Sequence, residues 1–151
     1  MVKKNEINGK RQINENFDEL YKNVVVVGET SATIADTASQ NVLDKTTGEA
    51  IIIPAGALIV ESWIVSRTAA TDTNTYRIGF TDDDNAVLDS VAANSVFTGS
   101  NAVIQGLLCS GASAAATFTA DQTLIYTIDT AASTTAGVQD VMIRYIDRKL
   151  N

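Results

Sequence analysis

The chain has 151 residues, of which 45% are hydrophobic and only 19% charged, with a formal net charge of -7 and a pI of about 4.4. That length suits a single domain able to bury its own core. An acidic body repels phosphate backbones, and the absence of histidine beside a lone cysteine, Cys109, excludes Ser-His-Asp and Cys-His catalysis, histidine-bound zinc and an internal disulfide.

The charge is unevenly placed. Up to residue 22, five cations (Lys3, Lys4, Lys10, Arg11, Lys22) stand beside four anions (Glu6, Glu15, Asp18, Glu19), so the rest of the chain carries more than the whole net negative charge. No nucleic-acid partner is expected for such a body. No apolar run approaches the length of a membrane span, and residues 2–9 hold lysines but no apolar core of a secretion signal. With a single thiol, the expectation is a soluble product made in a reducing cytoplasm, without a membrane partner, that would leave a cell by lysis.

In chain order, residues 3–23 are the one good helical candidate. Ile13, Phe17, Leu20, Tyr21 and Val24 fall on one helical face, with Lys10, Arg11, Glu15, Asp18 and Glu19 elsewhere. Asn8 or Gly9 marks its start, and Asn14 or Asn16 is equally suited to cap it. A helix this short is marginal alone, so its stripe needs a partner surface, either its own domain or another subunit. Ile13, Phe17, Leu20, Tyr21 and Val24 are therefore the candidate residues for oligomerisation or for docking on a partner surface.

From residue 24 the period changes to short apolar runs separated by Thr, Ser, Asn, Asp and Gly. Residues 24–27 read as a strand or strand-like linker ended by Gly28. Residues 41–44 and 50–53 flank Lys45-Thr46-Thr47-Gly48, a hairpin signal. Pro54 fixes φ and Gly56 accepts a positive φ, making a tight turn ahead of the apolar run 57–65. Further strands are predicted at 75–80, 86–88, 95–97, 102–109, 115–119, 123–129 and 138–147, with turn clusters between them, among them 82–85. So many short strands in one domain predict a mainly β fold: an antiparallel β-sandwich, jelly-roll-like, preceded by a short N-terminal α-helix. Residues 1–27 would be a helical arm and linker, and 28–151 the sandwich.

Two passages resemble a known group. Ile13-Asn14-Glu15-Asn16-Phe17-Asp18-Glu19-Leu20-Tyr21 is similar to the segment that precedes many phage fibre, neck and decoration proteins. The run from Ile52 through Pro54-Ala55-Gly56 to Trp63, followed by Arg77-Ile78-Gly79-Phe80-Thr81-Asp82-Asp83-Asp84, resembles small tailed-bacteriophage virion proteins with jelly-roll domains. The resemblance implies a structural protein of the virion, of head-decoration, head-fibre or tail-accessory type, oligomeric and often a homotrimer. Its partners would be major capsid or tail and neck proteins, and it implies no active site.

The residues themselves offer little other chemistry. Cys109 sits in an apolar run and reads as a small buried hydrophobe. Asp82-Asp83-Asp84 with Asn85 has the oxygen ligands of a calcium loop but not the alternating spacing, so a solvated turn is the simpler reading. No phosphate-binding loop is present and no cofactor is expected. Trp63, Tyr76, Phe80, Phe97, Phe118, Tyr126 and Tyr145 lie mostly one per strand, as a sandwich core requires, with Tyr126 or Tyr145 as candidates for an interface. The sequence thus points to a non-enzymatic virion protein acting by association. The alternative is a tail or neck accessory or fibre protein whose β-sandwich binds a glycan or receptor.

Overall fold

A computed structural model of the chain describes residues 21–30, 39–68, 75–92, 102–105, 118–128 and 138–148. Ten strands run through them: β1 (Tyr21–Glu29), β2 (Gln40–Asn41), β3 (Leu43–Asp44), β4 (Ile52–Ile53), β5 (Leu58–Ser66), β6 (Thr75–Phe80), β7 (Asp83–Ala92), β8 (Ala102–Gln105), β9 (Gln122–Ile128) and β10 (Gln139–Arg148). Their pairing is nested and antiparallel. β1 pairs with β10, β2 with β9, β5 with β8 and β6 with β7, so the chain runs out and back about the turn at Thr81 and Asp82. This long hairpin is folded into two sheets, in the orders β3-β1-β10-β5-β8 and β2-β9-β6-β7, with β4 also on β9.

The period-two alternation of the strands makes one face of each sheet apolar and buries it. From the first sheet come Ile64 of β5 and Val141, Ile143 and Tyr145 of β10, with Val24 and Val26 of β1 packed behind them. From the second come Tyr76, Ile78 and Phe80 of β6, Leu88 of β7, and Leu124, Tyr126 and Ile128 of β9. Together they form a single core cluster. Phe118 closes one end, its ring edge-on to Phe80 at a centroid distance of 5.0 Å.

Residues 39–53 tie the sheets together. Val42, fully buried, donates its N–H to the Leu124 carbonyl (2.9 Å) and accepts from Ile51 N–H (3.1 Å), while Leu124 N–H donates to the Ile51 carbonyl (2.9 Å). β2 and β4 thus lie along β9, and β3 between them reaches across to Gly28 and Glu29 of β1. The expected hairpin is present: Leu43 bridges Ala50, and the Asp44 carboxylate accepts Thr46 and Thr47 N–H at 2.8 and 2.9 Å. Those two backbone donors hold the Asp44 carboxyl below its ordinary range. Beyond the Val42–Ile51 bond the arms of the hairpin part, β2 and β4 each lying along β9.

Several expectations change. Residues 1–20 lie outside the described residues, Ile13, Phe17 and Leu20 with them. Tyr21, Lys22 and Asn23, the end of the expected helix, are in β1, because register with β10 continues unbroken from Glu29 back to Tyr21. Residues 24–27 are the middle of that strand, the first of the two readings of that run, and a boundary at residue 28 falls inside β1. Asp83 to Asn85 belong to β7, leaving only Thr81 and Asp82 in the turn. Expected strands at 95–97 and 115–117, and Cys109, also lie outside the described residues, while Phe118 and Thr119 are not in a strand.

Gly28 sits where the connecting segment crosses β1. A Cβ there would collide with Val42 Cγ1 and come within 2.6 Å of Ile51 Cδ1. Gly28→Ala is expected to destabilise the fold by about 1–3 kcal/mol through overpacking. In a Val42→Ala background, where the first collision is removed, the added cost of the glycine substitution should be smaller. Thermal unfolding of the four members of that cycle checks both statements.

Candidate interaction surface

With Val141, Ile143 and Tyr145 turned inward, the even positions of β10 face away from the core. In register with them, Val27, Met142 and Trp63 form a row across β1, β10 and β5 on the outer face of the first sheet. Val65 and Val103 adjoin it on one side, with Val103 60% exposed, and Val25, 57% exposed, on the other. Within β5 the usual polarity is inverted. Ser62 and Ser66 point inward and are buried, whereas Trp63 and Val65 point outward. A sheet face more apolar than solvent requires, bounded by polar groups, is the form an association surface takes.

Ion pairs frame this row. At one end Arg67 contacts Glu29 (2.8 Å) and Asp140 (3.6 Å), and Lys45 contacts Asp140 (2.9 Å). Toward the other, Arg144 Nε lies 2.8 Å from Glu61 Oε1, an attraction between charges rather than a directed hydrogen bond. Each exposed pair stabilises the fold by only about 0–1 kcal/mol. Their effect is on the field: in an acidic molecule this face has its carboxylates matched.

The sequence-chosen residues fare differently. Of the five docking candidates only Tyr21 and Val24 fall among the described residues, and both are in β1, where a helical spacing no longer brings side chains together. Val24 packs inward on the core. Tyr126 and Tyr145, considered for an interface, are 1% and 7% exposed core residues. Burial, reinforced by the charge of Asp147, raises the Tyr145 phenol above its ordinary range. Trp63, expected in the core, is on the outer face.

Two members of the acidic triplet, Asp82 and Asp84, are engaged by the protein itself. Gln122, 1% exposed, accepts from Thr81 Oγ1 (2.8 Å) and Asp82 N–H (3.0 Å) through Oε1, and donates Nε2–H to Asp82 Oδ2 (2.6 Å). Asp84 Oδ2 accepts a hydrogen bond from Arg77 Nη1 at 2.6 Å. Asp83 to Asn85 pass so close over Gly79 that no Cβ would fit there. Among the described residues no group of three or more Asp, Glu, Cys or His is arranged to hold a metal ion, and no helix is long and apolar enough to cross a membrane.

No protein-family model matches this chain, and no curated protein does. Solved structures do. A chain in the acidic stable capsid structure of Helicobacter pylori bacteriophage KHP30 superposes with a TM-score of 0.57 at 15% identity, over 84% of this chain and 93% of that one. A chain of the cyanophage Pam1 capsid asymmetric unit gives 0.54 at 22% identity, over 83% and 85%. One from the capsid of Ralstonia phage GP4 gives 0.52 at 13% identity, over 86% of each. What is shared is the fold.

Gln122 was not singled out by sequence reasoning, because a glutamine opening an apolar strand carries no signal of what it clasps. Gln122→Leu, which keeps the volume but removes the clasp, should cost about 1–3 kcal/mol. Asp82→Asn, which retains an acceptor for Nε2–H, should cost less. Denaturant unfolding of both variants measures the difference.

Proposed function

We propose that the chain is a structural component of a tailed-phage particle, of capsid-decoration or head-fibre type, that works by protein–protein association and not by catalysis. The observation carrying this reading is the fold likeness to three chains from phage capsid structures, each over more than four fifths of the present chain. The nested pairing supports it further: orders β1-β10-β5-β8 and β2-β9-β6-β7 are those of two interleaved Greek keys, which we read as a jelly roll. Its partners are major capsid or tail and neck proteins and other copies of itself, with a homotrimer as the unit the sequence resemblance implies. It is made in the host cytoplasm and resides in the virion. The outer face of the first sheet is the docking surface, and many copies bound through modest contacts gain from avidity.

Peptide mass spectrometry of purified particles tests this. The chain should be present in many copies per particle and survive washing; absence from particles made in cells that contain the protein would overturn the assignment.

The position of Trp63 favours a second reading, a tail or fibre module that binds a glycan or receptor. An outward indole beside Met142 and Val27 offers a flat apolar platform of the kind on which sugar faces stack. Under this reading, soluble glycans would quench or shift tryptophan emission, Trp63 being the chain's one tryptophan. Under the structural reading emission is indifferent to glycans, and Trp63→Ala loosens attachment to the particle instead.

A further inference from the structure

The strand edges of the two sheets differ, among the described residues, in how they are guarded. β2, β3, β4 and β8 are only two to four residues long, and β7 carries Asp83, Asp84 and Asp89. Short and charged edges resist the addition of a further strand. Over residues 23–27 β1 has neither protection, its two charges, Lys22 and Glu29, lying outside that run. Among the described residues β3 pairs with it at Gly28 and Glu29, with Lys45 N–H reaching the Val27 carbonyl, and the run Asn23-Val24-Val25-Val26-Val27 is rich in the residues that favour strands.

Two hydrogen bonds reveal which backbone groups face this edge. Thr30 N–H donates to the Gln139 carbonyl, so even positions near it turn toward β10, whereas the Val27 carbonyl accepts Lys45 N–H from the opposite side. Groups alternate along a strand. Lys22, Val24 and Val26 therefore spend their N–H and C=O on β10, and those of Asn23 and Val25 point outward. Val25 is also among the most exposed large apolar residues described.

We infer that this edge pairs with the same edge of a second copy, antiparallel about a two-fold axis, so that the first sheets of the two copies continue into one another. With Val24 opposite its counterpart, Asn23 of each copy meets Val25 of the other, and each such pair exchanges two hydrogen bonds. Self-pairing places Lys22 opposite Val26 rather than opposite a like charge. The nearest charges on the outer face, Arg144 and Glu61, already match each other. In a protein of net charge -7, a contact centred on the uncharged residues 23–27 brings a second copy in without placing carboxylates opposite one another across those residues. A two-fold contact is compatible with a trimer formed elsewhere on the molecule, since two trimers so joined contain six copies. It does not depend on the virion assignment, and the particle measurement and the one below fail separately.

The test is the mass of the full chain in solution, by sedimentation or light scattering, for the parent and for Val25→Pro. Proline at position 25 removes only an outward N–H and is tolerated on a strand edge. The parent should have an even multiple of the 16.0 kDa chain mass, and Val25→Pro half the parent's value with its thermal unfolding little changed. Should Val25→Pro not fold, Val25→Lys, which places a charge on the edge, is to be read in the same way. A monomeric or odd-numbered parent, or a folded variant with the parent's mass, overturns the inference.

Discussion

The structure depends on the in-register pairing of β10 with strands on both its sides. β10 lies between β1 and β5, and the alternation of Val141, Ile143 and Tyr145 against Asp140, Met142 and Arg144 sets which face of all three strands is inward. A slip of one residue would send the charged set into the core and the apolar set into water. The single irregularity, between Arg144 and Tyr145, is absorbed on the β5 side near Val60, while the β1 side continues without a break. Because β1 and β10 are separated by most of the chain, the first sheet is complete only when the hairpin has closed on itself.

Much of this was legible in the sequence, and what was not has physical reasons. β6, β9 and β10 sit within a residue of their predicted limits, since alternation bounded by turn residues is a local signal. The start of β1 was obscured because Tyr21 and Val24 also fit a helical stripe, and what decides between the two is a partner strand more than a hundred residues away. β7 was read too short because Asp83, Asp84 and Asn85 resemble a turn. Arg77 and the close approach of Gly79 make a strand there possible, and neither contact is visible locally. Gln122's grip on the turn at Asp82 is likewise a tertiary fact.

The assignment of faces in β5 was the most instructive difference. A run that is apolar at most positions gives no clear inward side, and the large indole of Trp63 was the natural choice for the core. Instead Ser62 and Ser66 are buried, with the Ser66 hydroxyl 3.3 Å from the Thr68 carbonyl, while Trp63 joins Met142 and Val27 outside. Such an inversion leaves apolar surface on the exterior of a protein whose remaining charge would repel its own kind. With Glu29, Glu61 and Asp140 matched by Arg67, Arg144 and Lys45, that exterior suits contact with a protein surface.

If the chain works as proposed, docking the outer face of its first sheet within a phage particle, a reconstruction of the particle at side-chain resolution should show Val27, Met142 and Trp63 against a neighbouring protein with their flanking ion pairs at the rim. Density placing that face in open solvent, or no density for this chain at all, would contradict the proposal.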